Sequence, residues 1–186
     1  MFRKKANIND DEMITIIEEF KNGSSEAFSL LYHHYNKRVY RFCLRMLGNE
    51  ESAEDAFQEV FIKVYEHKKD LRGKNFAAWL FTIARHTCLN ILRSKKEFDS
   101  FDELFHGKTD ANAKDIGLQE CIQKALVTLP VSLREALILR EYEDCSYKEI
   151  AEISEIALSL AKVRVFRARE LMRKLLAPLR HELNES

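Results

Sequence analysis

The sequence predicts an all-α protein of two helical domains joined by an acidic linker. Three observations carry this. Proline occurs only at Pro130 and Pro178 and glycine only five times, so little in 186 residues interrupts a helix. No Asn-Gly or Asp-Gly pair links alternating runs, which leaves a hairpin without its turn. Apolar residues recur at three- and four-residue steps from end to end, the period of a helix face.

Composition narrows the class. Hydrophobic residues make up 46% and charged ones 32%, which fits a soluble folded chain. The longest uncharged apolar runs fall short of the ~18 residues that read as a membrane span. Met1-Phe2-Arg3-Lys4-Lys5 is followed by polar residues rather than an apolar signal core, so the expected location is cytoplasmic. Cys43, Cys88, Cys121 and Cys145 are scattered, with no CxxC pair and no histidine at ligand spacing; they read as reduced thiols, with no metal and no cofactor expected. His33, His34, His67, His86, His106 and His181 form no constellation, and nothing resembles a nucleophile or a phosphate-binding glycine loop. Catalytic residues are therefore expected to be none.

Taken in order, Asp10-Asp11-Glu12 opens a short helix with Met13, Ile14, Ile17 and Phe20 on one face, closed at Gly23. Ser24 or Ser25 caps the next, whose apolar positions run from Phe28 and Leu31 through Tyr35, Val39 and Phe42 to Met46, ending at Gly48. Lys37, Arg38, Arg41 and Arg45 on this helix read as a solvated face. Ser52-x-x-Asp55 resembles a capping box and starts a third helix, with Ala53, Phe57, Val60, Phe61 and Val64 toward the core. Its opposite arc holds Asp55, Gln58, Glu59, Ile62 and Glu66. Such a stripe is either solvated surface or a docking face with a desolvated centre and a charged rim.

The 30 basic and 30 acidic residues cancel overall, yet Leu71 to Lys96 contains no acid. Leu71-Arg72-Gly73-Lys74-Asn75 reads as a loop. In the helix after it, Phe76, Leu80, Ile83 and Thr87 share one side, while Thr82, Arg85, His86, Arg93 and Lys96 share the other. A basic loop feeding a helix rich in aromatics suits single-stranded nucleic acid, where cations meet phosphates and rings meet unstacked bases. A core helix with a solvated basic face is the alternative reading.

Residues 97–120 hold seven acids against two bases, the mark of a linker, with a helical turn expected around Phe101 to Phe105. Its charge would repel nucleic acid or compete for a basic channel. Leu118 to Thr128 forms the next helix, stopped by Leu129-Pro130, and Ser132-x-x-Glu135 reads as a capping box for its successor. Asp144-Cys145-Ser146 turns the chain. Ser146-x-x-Glu149 caps a short helix from Tyr147 to Ile153, and Ser159 a last one from Leu160 to about Leu176. Two helices across a short turn, the second basic, make a helix-turn-helix. On the last helix Ala161, Val165, Ala168 and Met172 face the core, whereas Lys162, Val163, Phe166 and Arg167 point outward, flanked by Arg164 and Arg169. Arginine and lysine can fork onto guanine edges or phosphates, and Val163 or Phe166 can meet a thymine methyl.

Two blocks carry a family resemblance. Ala53-Glu54-Asp55-Ala56-Phe57-Gln58-Glu59-Val60-Phe61-Ile62-Lys63 with Phe76-Ala77-Ala78-Trp79-Leu80-Phe81-Thr82-Ile83-Ala84-Arg85 resembles region 2 of an extracytoplasmic-function sigma factor of the sigma-70 family. Leu129-Pro130, Arg134-Glu135-Ala136, Arg140-Glu141-Tyr142-Glu143, Ser146-Tyr147-Lys148-Glu149-Ile150-Ala151-Glu152 and Val165-Phe166-Arg167-Ala168-Arg169-Glu170 resemble region 4. The resemblance implies region 2 over residues 1–96, a linker over 97–119 and region 4 over 120–186. It implies that Asp55, Gln58, Glu59 and Ile62 dock on the β′ clamp helices of bacterial core RNA polymerase. Arg72, Lys74, Asn75, Phe76, Trp79, Arg85 and Arg93 would then capture and hold the melted −10 strand. Lys162, Val163, Arg164, Phe166, Arg167 and Arg169 would read the −35 element of promoter DNA. The polymerase β flap, and an anti-sigma factor bound to a membrane, belong to what the resemblance implies rather than to what these residues show.

The family commonly has Gly-Ile-Pro-Val-Gly-Thr-Val-Lys-Ser-Arg at the second turn, where this chain has Glu155-Ile156-Ala157-Leu158-Ser159-Leu160-Ala161-Lys162-Val163-Arg164. Loss of glycine at a left-handed position costs about 1 kcal/mol. Two rival functions stay open: a sigma-like decoy that titrates an anti-sigma factor, and a stand-alone helix-turn-helix regulator.

Overall fold

The computed structural model describes residues 9–73, 75–102 and 117–178. Among these, eight α-helices and one 3-10 turn, Lys68–Asp70, account for the regular structure, and no strand occurs. Four helices form a first unit: α1 (Asp10–Lys21), α2 (Ser25–Leu47), α3 (Glu50–Glu66) and α4 (Phe76–Asp102). The second holds α5 (Leu118–Thr128), α6 (Val131–Glu141), α7 (Tyr147–Ile153) and α8 (Leu158–Leu175).

Local chemistry sets the helix ends. Asn9 and Glu12 close a reciprocal capping box on α1, and the Ser24 hydroxyl accepts from the Ala27 amide to start α2. Gly48 ends α2 in the left-handed region, at φ 82°. The cap of α3 is Asn49, not Ser52: the Asn49 Oδ1 accepts from the Ser52 amide, so the helix begins earlier than the Ser52-x-x-Asp55 pattern implied. Ser52 is instead buried, its hydroxyl accepting from Lys95 Nζ at 2.6 Å. The expected Ser132–Glu135 box is also absent. Pro130 supplies the N-cap position of α6, and Glu135 turns inward at 1% exposure. The Ser146–Glu149 box forms as expected. Ala157 rather than Ser159 precedes α8, without a side-chain cap. The helix α4 runs on to Asp102, into the stretch read as linker; the remainder of the expected turn near Phe105 lies outside the described residues.

Packing in the first unit centres on α2, α3 and α4, where Val39, Phe42, Met46, Val60, Val64, Leu80, Phe81 and Ala84 are fully buried. Phe76, at the start of α4, meets Phe20 edge-on at 5.9 Å and also contacts Tyr35 and Trp79. Burying such a ring contributes about 2 kcal/mol. The Cys43 and Cys88 thiols meet between α2 and α4; their hydrogen bond and then burial push the Cys88 thiol far up, so it stays protonated. In the second unit, α6 and α7 close on α8 around Ile138, Leu139, Ile150, Ile153, Ala161, Val165 and Ala168.

The units do not stand apart. The helix α2 packs on α5 and α6, and α4 on α7, so one apolar core is continuous through both. Arg134 of α6 is the buried hinge of this joint, at 5% exposure. Its guanidinium donates to the carbonyls of Met46, Val127 and Leu129, at the C-terminal ends of α2 and α5. A cation there meets the negative ends of two helix dipoles, although burial still lowers its pKa.

Candidate docking and nucleic-acid surfaces

Three surfaces emerge from this framework. On α3, Asp55, Gln58, Glu59 and Ile62 are all exposed, and Ile62 shows 57% of its surface to solvent. Glu59 is held by Lys63 one turn on, at 2.5 Å. Beside the stripe runs a groove of about 500 Å³ lined by Phe28, Tyr32, Phe57, Phe61, Ile62 and Tyr65. An isoleucine between carboxylates and next to an aromatic trough has the composition of an interface centre with a charged rim. Helix period places Phe28 and Tyr32 on the apolar stripe of α2 but does not show that one edge of that stripe stays uncovered.

The second surface is the start of α4. Arg72 is exposed, Lys74 lies outside the described residues, and Gly73 takes φ 79°, which fits the expected loop. Asn75 Oδ1 caps α4 by accepting from the Ala78 amide at 3.0 Å, and its amide nitrogen donates to Glu149 of α7 at 3.3 Å. Phe76 belongs to the core at 2% exposure, so in this arrangement it supports the site from behind and offers no face to a base. Trp79 is half-buried and Arg93 exposed. Arg85 is largely covered, its Nε donating to Glu135 at 3.0 Å, and this carboxylate also accepts from Arg164 at 3.4 Å.

The third is α8. Lys162, Val163, Phe166 and Arg167 share its outward face, and Phe166 is 65% exposed, while Ala161, Val165 and Ala168 on the inner face are fully buried. Arg164 and Arg169 flank this face but turn to acids of α6. Arg164 goes to Glu135, and Arg169 goes to Glu141 at 2.5 Å, which raises the Arg169 pKa. The turn before α8 places Glu155 at φ 55°, the left-handed conformation that glycine adopts without strain.

Arg38 and Arg45, read as solvated, turn to the second unit instead. Arg38 Nε donates to Glu143 at 2.9 Å, and Arg45 sits 3.9 Å over the Tyr142 ring. Lys37 and Arg41 are exposed as expected.

Comparison with known proteins finds matches to both stretches of the chain. Residues 31–98 fit the family model for sigma-70 region 2, and residues 119–172 that for sigma-70 region 4. The RNA polymerase sigma-H factor of Pseudomonas aeruginosa is 32% identical over 185 residues, covering 90% of this chain and 95% of that protein. The chain belongs to the sigma-70 family, in its extracytoplasmic-function group. The extracytoplasmic-function sigma factor SigW of Bacillus subtilis is 30% identical over 179 residues, covering 88% of this chain and 96% of the relative. Among solved structures, the sigma factor RpoE in complex with the anti-sigma factor NepR from Bartonella quintana aligns with a TM-score of 0.69 at 28% identity. It covers 81% of this chain and 96% of that one. The fold of CnrH, solved with the cytosolic domain of CnrY, aligns at the same TM-score, covering 91% of this chain and 99% of that one at 19% identity. This sigma factor is thus a helix-turn-helix DNA-binding protein of transcription initiation. Among the described residues no helix is long and apolar enough to cross a membrane.

Proposed function

We propose that this sigma factor docks on bacterial core RNA polymerase through the α3 stripe and its aromatic groove, holds the melted −10 strand on the start of α4, and reads the −35 element with α8. The first surface belongs to a region 2 domain over residues 1–96 and the last to a region 4 domain over 120–186, joined by the 97–119 linker. The docking stripe engages the β′ clamp helices, region 4 the β flap, and an anti-sigma factor competes for these surfaces. The work is done by binding energy, without a catalytic step of its own, in the cytoplasm.

The observation that carries the reading is Ile62 at 57% exposure among Asp55, Gln58 and Glu59, beside the groove. A stand-alone regulator has no use for such a face, and a protein partner does. The test is direct binding of the purified chain to core polymerase, followed by mapping of transcript starts. Tight binding with starts behind a shared two-part motif is expected. Reversing Asp55 and Glu59 to lysine should weaken binding while leaving helicity unchanged. No binding of the unaltered chain would discard the reading in favour of a decoy or a stand-alone regulator.

A further inference from the structure

The start of α8 carries more exposed apolar surface than a solvated basic helix requires. Eleven large apolar side chains are exposed among the described residues, and four of them, Leu158, Leu160, Val163 and Phe166, fall within nine consecutive positions here. A single exposed leucine or valine is ordinary surface, whereas a cluster marks a face that something covers. The cations beside it are of two kinds. Arg164, Arg169 and Arg173 are held by Glu135, Glu141 and Glu170, while Lys162 and Arg167 take part in no ion pair among the described residues. An apolar ridge between unpaired cations is complementary to a polyanion that presents apolar groups between its charges. The major groove of duplex DNA does this, with phosphates along its rims and thymine C5 methyls among the base edges.

Helix period decides which side chain reaches deepest. Ala161, Val165, Ala168 and Met172 form the inner stripe of α8. At about 100° per residue, the direction opposite the middle of that stripe falls within about 10° of Val163, with Phe166 and Arg167 about 50° to either side. The apex of the outward face is thus a side chain with neither donor nor acceptor. Guanine, adenine and cytosine all offer polar groups in the major groove, and of the base edges only thymine offers a methyl. Against a polar edge Val163 would displace water and return no hydrogen bond, so the wrong base is penalised as well as the right one favoured. Arg167 is four residues on, about 6 Å along the axis, and so addresses a base pair one or two steps away at about 3.4 Å each.

We propose that Val163 sets base choice at the centre of the duplex site by packing on the C5 methyl of one thymine. The proposal rests on the assignment of α8 to the upstream duplex and adds to it the chemical feature that is read.

The test uses the chain assembled with core polymerase and a fluorescein-labelled upstream duplex from promoters located by mapping transcript starts. Titrations are made at one fixed salt concentration, because phosphate contacts respond to salt. Each thymine of either strand is replaced in turn by deoxyuridine, which removes the C5 methyl and keeps the pairing edge. One thymine should stand out, its replacement lowering affinity about fourfold, the scale of one buried methyl. Val163→Ala, which favours the helix at an exposed position, should lower affinity for the thymine duplex by a similar factor and bind the thymine and uracil forms equally. Affinity indifferent to every methyl, or a methyl dependence that survives Val163→Ala, would overturn the proposal and leave α8 a duplex reader. No preference for the upstream duplex over a scrambled one would remove that reading and the proposal together. Weaker assembly of Val163→Ala with core polymerase in the absence of DNA would show that protein covers the ridge, and would overturn the proposal as well.

Discussion

Glu155 and Gly48 occupy the same left-handed region of backbone space, at φ 55° and φ 82°, with opposite prospects for substitution. A glutamate there carries a Cβ penalty that glycine lacks, and its contact with His86 is between two well-exposed groups. Glu155→Gly should therefore raise stability by about 1 kcal/mol, less the small cost of the freer unfolded chain, as read by urea denaturation. Gly48→Ala goes the other way. It adds the left-handed penalty and forces Val127 to move, for an expected loss of about 1 to 2 kcal/mol. A stabilising Gly48→Ala would mean that α2 and α5 do not approach as closely in solution as they do here. The departure from the family pattern at Glu155 is thus a strained turn that the surrounding packing holds in place, since Ile153 and Ser154 just before it are buried.

At the scale of the element, α8 separates two kinds of arginine that the sequence grouped together. Arg167 stands on the outward face with Lys162, Val163 and Phe166, whereas the Arg169 guanidinium is spent on Glu141. Arg167→Ala should weaken binding of an upstream promoter duplex by about 1 to 3 kcal/mol in a fluorescence titration. Arg169→Ala should leave duplex affinity nearly unchanged and lower stability by less than about 1 kcal/mol, the scale of an exposed pair. Equal loss of affinity in the two variants would show that Arg169 leaves Glu141 for DNA. The outward face was legible because helix period alone separates Ala161, Val165 and Ala168 from Val163 and Phe166. Helix existence was legible for the same reason, and α5 and α7 begin and end where the caps and Pro130 placed them. The ends that were missed share a cause. Ser52-x-x-Asp55 and Ser132-x-x-Glu135 are local patterns, and both were overridden by long-range partners: Lys95 claims the Ser52 hydroxyl, and Arg85 and Arg164 claim Glu135. A pattern four residues long carries no information about a partner some 40 or 50 positions away. Phe76 is a similar case, since an aromatic beside a basic loop reads the same whether its ring faces a base or, as here, is buried against Phe20.

For the whole molecule, the arginine–glutamate pairs across the joint decide whether the two units behave as one. Interfaces between domains of one chain resemble transient protein contacts, so separation is the default unless something specific opposes it. Here the opposition is partly apolar, through α2 against α5 and α6, and partly ionic, through Arg38–Glu143 and Arg85–Glu135. The buried carboxylates make the joint asymmetric in its response: removing Arg38 leaves Glu143 desolvated at 2% exposure, whereas Arg38 itself is 39% exposed and Glu135 keeps Arg164 when Arg85 is lost. Calorimetry of the unaltered chain at low salt should accordingly show a single thermal transition. Glu143→Lys sets a third cation beside Arg38 and Arg45, so the joint should open before either core melts, and the endotherm should resolve into two transitions, one for α1–α4 and one for α5–α8. Raising the salt of the unaltered chain should move it only part of the way. The Debye length falls to about 3 Å at 1 M, which screens the exposed His86–Glu155 contact but acts weakly on carboxylates withdrawn from water. Two transitions in the unaltered chain at low salt would mean that the units already move independently. The pairs Arg38–Glu143 and Arg85–Glu135 would then contribute too little to hold α1–α4 on α5–α8.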